Sequence, residues 1–194
     1  MKRFHLLFLV LLAFAVPFAA ADTIQLNQNN LGISGSVGSV TLTQQGSNVL
    51  VSLTAGSGYG LKVQGGDILF STNVNLSSAN ITGIMINGVA YSGGFHFGGP
   101  ATRAGNTFTY DLTNLNVHGI TSASTISFII SGVNVSQLDG AWGTHFCVGG
   151  GSKCGPNTGF GTGTGSTVPE PGTLSLLGTG LAGLAGVFRR RFRS

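Results

Sequence analysis

Val40-Thr41-Leu42-Thr43-Gln44-Gln45-Gly46-Ser47-Asn48-Val49-Leu50-Val51-Ser52-Leu53-Thr54 is the stretch on which the fold turns. Two β-rich runs, Val40–Thr43 and Val49–Thr54, flank a turn that contains a glycine. That arrangement predicts an antiparallel hairpin. Alternation puts Val49, Val51 and Leu53 on one face and Ser52 and Thr54 on the other, as in a half-buried strand. The signal recurs outward from there. Tyr59–Val63 precedes Gly65-Gly66, and Asp67–Val74 follows. Ile81–Ile86 runs into Asn87-Gly88, two residues that tolerate positive φ and so favour a tight hairpin turn; Val89–Tyr91 returns. Thr107–Leu112 alternates, with Phe108, Tyr110 and Leu112 against Thr107, Thr109 and Asp111. Thr125–Ser131 and Val133–Leu138 complete the set. Between the two ends of the chain no segment carries a helical period. The expectation is an all-β domain, an antiparallel β-sandwich or jelly-roll-like ectodomain. A parallel β-helix is the weaker alternative, because no fixed repeat period is visible.

The ends read differently. Lys2 and Arg3, the apolar run Leu6–Val16 and Ala19-Ala20-Ala21 make residues 1–21 a secretory signal peptide with an N-terminal signal helix. Signal peptidase must seat small side chains before the cut, which Ala19 and Ala21 supply, so Asp22 is the expected mature start. A retained membrane helix is disfavoured because the run is short of the roughly 20 residues a span needs. The ectodomain is expected over residues 22–160, followed by a Gly/Thr linker over 161–167 with nothing to bury. In residues 168–194, Pro169-Glu170-Pro171 is held extended by its prolines. A short apolar transmembrane helix is expected at about 173–188. Arg189, Arg190, Arg191 and Arg193 then stop transfer and keep that end cytoplasmic by the positive-inside rule.

Pro169-Glu170-Pro171, a short apolar helix and a terminal arginine cluster, in that order and opposite a signal peptide, resemble the PEP-CTERM sorting signal of Gram-negative bacteria. The resemblance covers only the C-terminal tail. It implies a membrane-embedded exosortase that recognises Pro169, Glu170 and Pro171 and cuts nearby. It also implies a link to exopolysaccharide or biofilm production. More loosely, the Val40–Gln44 opening, Gly58-Tyr59-Gly60 and the closing Trp142, His145-Phe146 and Thr158-Gly159-Phe160 look like other exosortase-substrate ectodomains. That likeness carries no assigned activity.

The formal net charge of +4 is misleading. Between the ends the bases are Lys62, Arg103 and Lys153, and the acids are Asp22, Asp67, Asp111 and Asp139. The positive charge sits in the targeting segments, which excludes a nucleic-acid reading. The domain must be solvated by hydroxyls and amides, a surface that suits an exported protein and could lie against neutral sugar. Cys147 and Cys154, an even pair in an oxidising compartment, read as a disulfide. A metal held by both with His145 is the alternative, and no fourth ligand is spaced for it; neither a metal nor a cofactor is expected.

A glycosidase needs two carboxyls across one sugar. Asp67, Asp111 and Asp139 are the available acids, but no motif pairs them. His96, between Phe95 and Phe97, points away from both if the segment is a strand; His118 and His145 are the other histidines of the domain. No Gly-x-Ser-x-Gly elbow is present. Gly56-Ser57-Gly58-Tyr59-Gly60 lacks the lysine and helix of a phosphate loop and reads as a turn. Asn75-Leu76-Ser77, Asn80-Ile81-Thr82 and Asn134-Val135-Ser136 fit the glycosylation sequon. Trp142, Tyr59, Tyr91 and Tyr110 could stack on sugar, but core packing is the expected fate of most of them. The expected function is a non-enzymatic surface or extracellular-matrix protein, processed by signal peptidase and exosortase and membrane-held by its helix before processing. Its expected place is the cell envelope, outer surface or matrix, next to extracellular polysaccharide. A carbohydrate-binding module is the second reading, and an enzyme acting on that polymer the third.

Overall fold

The computed structural model describes residues 21–115, 119–150, 153–165 and 180. The opening stretch forms its hairpin. β3 (Gly38–Gln45) and β4 (Asn48–Ala55) pair antiparallel down to Gln45 opposite Asn48, so Gly46 and Ser47 alone make the turn. Val40, Leu42, Val49, Val51 and Leu53 all lie inside. Two-residue alternation has thus placed every one of these apolar side chains on one face. β1 (Ala21–Gln25) adds to one edge, and β14 (Thr125–Ser131), β7 (Ile81–Ile86) and β8 (Val89–Ala90) follow β4, giving a six-stranded antiparallel sheet ordered β1-β3-β4-β14-β7-β8. Asn87 and Gly88 turn β7 into β8 at φ 51° and 77°, as their sequence requires. Asn87 also accepts the backbone N–H groups of Ser124 (2.8 Å) and Thr125 (3.2 Å), which ties the turn to β14.

The second sheet is built around β15 (Ala141–Val148). Along one side lies β16 (Thr158–Thr164), which carries the short β2 (Gln28–Asn29). Along the other lie β5 (Tyr59–Lys62) and β6 (Asp67–Phe70) in tandem. β13 (Ser122–Ala123) pairs with β5, β12 (Tyr110–Thr113) with β6, and β9 (His96–Gly98) with β12. A separate hairpin joins β10 (Ala101–Arg103) to β11 (Asn106–Phe108). The two large sheets enclose one core. Trp142 stacks on Phe70 at 5.0 Å inside it, and its indole N–H donates to the Leu138 carbonyl at 2.7 Å. The described domain is therefore the antiparallel sandwich that its strand pattern predicts.

Four readings shift. Thr107–Leu112 is not one strand: pairing breaks at Thr109, and Phe108 buries itself away from the inter-sheet core that Leu112 joins. Val133–Leu138 is not extended; Val135–Gln137 is a single 3-10 turn, with Val133 and Leu138 buried on either side. The central strand β15 had no visible period, because Trp142, Gly143 and Thr144 are buried in succession. Residues 161–164 belong to β16 and not to a linker, so the ectodomain passes Phe160. Gly159, Gly161 and Gly163 share the inward face of that strand, and the chain from Ile24 to Val37 lies directly on them. A Cβ at Gly161 would meet Val37, and one at Gly163 would meet the Gln25 carbonyl oxygen. Glycine at these places is the condition for close sheet approach, not a sign of flexibility.

Ala21 opens β1, so the expected mature start, Asp22, lies within the first strand. Ala19 and the rest of the signal segment lie outside the described residues. So do Pro169, Glu170, Pro171, Arg189, Arg190, Arg191 and Arg193, and, save Gly180, the apolar segment at 173–188.

Candidate functional site

The outer faces of the two sheets differ sharply. On the first, Thr23, Thr41, Ser52 and Ser127 stand in register across four strands, about 4.8 Å apart. On the second, the charges gather. Of the seven charged side chains between Asp22 and Gly165, four, Lys62, Asp67, Arg103 and Asp111, interact with one another and with His96 and His145.

Strand alternation explains the assembly. In β6, Ile68 and Phe70 enter the core, so Asp67 and Leu69 face out. Asp111 stands opposite Leu69 in β12, and Asp67 opposite Thr113, so the two carboxylates are diagonal neighbours on adjacent strands. Such neighbours are about 7–8 Å apart at the backbone, within side-chain reach. His96 of β9 stands opposite Thr113 on the far side. In β15, Phe146 faces in and His145 out, opposite Phe160 of β16, and the two rings stack at 4.4 Å. The β10–β11 hairpin folds over this face. Phe108 is its anchor, because Gly143 leaves room for that ring; a Cβ there would sit 3.0 Å from it. Asn106 donates to Thr162 at 3.3 Å, Arg103 Nε donates to Asp67 Oδ2 at 3.0 Å, and the guanidinium lies 5.5 Å from the Phe160 ring centre.

The electrostatics follow from this crowding. Burial, and then the negative charge of Asp67, push the Asp111 carboxyl up to about 6, against the opposing pull of Arg103 and His96. Its Oδ1 is buried and accepts no hydrogen bond among the described residues. Burial, and then Lys62, push His145 down to about 4, so its ring is neutral at ordinary pH. The Asp67 side chain is only 14% exposed and is clamped by Arg103. The site thus offers carboxylate acceptors, guanidinium donors, a neutral imidazole and an aromatic ring, with nearly balanced charge.

Asp67 and Asp111 converge, as a carboxyl pair requires. Asp139 does not join them: with Ser71, Thr72, Asn73 and Gln137 it lines a separate groove of about 310 Å3. His96 is exposed, and Phe97 turns the other way to stack on Tyr110 at 5.0 Å, as alternation predicts. His118 lies outside the described residues. Gly56–Gly60 is a turn, closed by the Tyr59 N–H to the Gly56 carbonyl at 3.1 Å. The aromatic candidates pack against the core, as expected for most of them. Trp142 is fully buried. Tyr110 is half-buried, with its hydroxyl receiving the Leu76 N–H at 2.7 Å and donating to the Val74 carbonyl at 3.1 Å. Tyr59 packs edge-on against Phe146, and the Tyr91 hydroxyl donates to the Gly94 carbonyl. The core needed these rings more than the surface did. Cys147 and Cys154 form a disulfide with Cα atoms 5.3 Å apart, which removes both thiols from any metal set with His145. Arg103, Lys62 and Phe160 complete the cluster and were not singled out by motif. The signal that could have found them is scarcity: Arg103 is the one arginine between the ends of the chain.

Residues 167–191 match the family model of the PEP-CTERM protein-sorting motif. No curated protein and no solved structure matches the chain. The motif supports an exported protein, delivered to the cell surface of a Gram-negative bacterium and processed by an exosortase.

Proposed function

We propose that this chain is a non-enzymatic component of the cell surface or extracellular matrix, released from its membrane tail by exosortase and resident among extracellular polysaccharide. The observation that carries the reading is the sorting motif at residues 167–191, which begins just after the last strand among the described residues ends at Thr164. A folded β-sandwich passes almost directly into the signal, so the cargo is the sandwich itself. The uncharged Thr/Ser face of the first sheet supports a polymer-rich setting, since its hydroxyls exchange hydrogen bonds with sugar as readily as with water. The sequence supports a non-enzymatic role, having few carboxylates and no nucleophile elbow. Replacing Pro169-Glu170-Pro171 with three alanines in an exosortase-bearing host tests the reading. The variant should accumulate unprocessed in the membrane fraction, while the parent chain leaves it; identical processing of both would refute exosortase recognition.

A further inference from the structure

We propose that the outer face of the second sheet, where Asp67, Asp111, Arg103, His145 and Phe160 meet, is a binding site for a neutral saccharide. The inference deepens the polymer-associated reading above and rests on it.

Its first support is concentration. A domain that solves almost all of its solvation with hydroxyls and amides places four of its seven charged side chains on one patch. Burying charge beside charge is costly and adds little to a fold already held by an apolar core. Charge gathered against that cost marks a place where polar recognition is wanted. The second support is chemistry. A pyranose presents O–H donors, ring and hydroxyl oxygen acceptors, and an apolar C–H face. The carboxylates of Asp67 and Asp111 accept only; Asp67 keeps 14% of its side chain exposed, whereas Asp111 Oδ1 is itself buried, so Asp67 is the acceptor at the surface of the patch. Arg103 uses Nε on Asp67 and one terminal nitrogen on the Thr102 carbonyl, and its side chain is 39% exposed, so it keeps N–H groups for a sugar oxygen. The stacked His145–Phe160 pair supplies apolar surface beside them. The third support is charge balance. Lys62 and Arg103 offset Asp67 and Asp111, so the patch attracts neither a polyanion nor a free cation by net charge. The neutral His145 ring fits the same reading, because a neutral imidazole carries one N–H donor and one nitrogen acceptor.

The test uses the full chain purified in detergent micelles, on an array of neutral glucans, mannans and galactans, with alginate and heparin as anionic probes. At least one neutral glycan should be retained. Asp67→Asn and His145→Gln, two variants with different risks to folding, should each weaken that binding about tenfold or more, since a hydrogen bond to a charged or buried partner is lost. Val89→Ala, an exposed side chain on the edge strand β8 of the other sheet, should bind as the parent does. Thermal melts of each variant identify any loss that comes from unfolding. Retention of anionic glycans only, retention of none, or parent-like binding by both folded site variants overturns the proposal. Such a failure leaves exosortase processing untouched, because processing is read by cleavage and not by binding.

Discussion

Gly163→Ala asks whether residues 161–164 are structure or tether. The new methyl would fall on the Gln25 carbonyl oxygen of β1, with the Ile24 Cγ2 at 3.1 Å. The obstacle is backbone, so no rotamer change relieves it, and β1 must shift off β16. Overpacking of a tight interior costs about 1–3 kcal/mol, and a backbone clash belongs at the upper end, about 3 kcal/mol. Alanine returns roughly 0.5–1 kcal/mol by restricting the unfolded chain. The net expectation is about 2 kcal/mol, a fall in melting temperature of roughly 5–10 °C for a domain of this size. Gly94→Ala is the control, because nothing lies within 4 Å of the place its methyl would occupy and its φ is not in the left-handed region. It should melt within a degree or two of the parent, or slightly above it. Differential scanning calorimetry of the three proteins decides the matter. Equal melting temperatures for all three would show that the glycine-rich run is a tether after all.

Three further outcomes are expected. Reducing the Cys147–Cys154 bridge should cost about 2.5 kcal/mol, the loop entropy of a short closed ring, and lower the melting temperature by roughly 10 °C; thiol labelling of the folded, unreduced protein should find no free cysteine. Two groups of the outer cluster oppose each other in pH. Asp111 holds its proton longer folded than unfolded, so its contribution to stability declines as pH rises from 3.8 to about 6. His145 gives up its proton more readily when folded, so its contribution rises from about 4 to 6.5. The parent should therefore be nearly indifferent to pH in that window. Asp111→Asn should gain stability as pH rises and His145→Gln should lose it, each by roughly 1 kcal/mol once the partial exposure of both groups is discounted; urea midpoints at pH 4.5 and 6.5 check the two signs. Trp142, the single tryptophan, should emit as a buried indole, and its emission should not move when a glycan binds, because it lies in the core and away from the outer face.

Legibility followed the physics of periodicity. Val40–Thr54 and Thr125–Ser131 have one wet face and one dry face, so their alternation is visible in the sequence and correct in the structure, whereas in Ile81–Ile86 a bulge at Gly83 brings Ile81, Ile84 and Ile86 to the buried side. At Gly143 and Thr162, β15 and β16 are covered on both faces, by the core within and the β10–β11 hairpin without, while His145 and Phe160 stay partly exposed. A strand buried on both sides loses its alternation, and glycines that admit a neighbouring chain look like those of a linker. The carboxyl pair failed to appear for another reason. Asp67 and Asp111 meet only through the β6–β12 register, which joins residues 44 positions apart in the case of Asp67 and Asp111 themselves. Nothing local announces such a pairing. A stacking tryptophan and a core tryptophan are the same letter; the core packing expected for most of these rings is what the structure shows, and the Leu138 carbonyl satisfies the Trp142 indole there. The sorting motif at residues 167–191 was readable because a linear motif does not depend on tertiary contacts.

The most direct measurement is the intact mass of the protein recovered from the surface or medium of an exosortase-competent producer. The expected species begins at Asp22, carries the mass of one disulfide, and ends close to Pro169-Glu170-Pro171, without the apolar segment and the terminal arginines. Recovery of a surface species that still contains Leu174–Ser194 would contradict the removal of the tail, and with it the reading of residues 167–191 as a cleaved address.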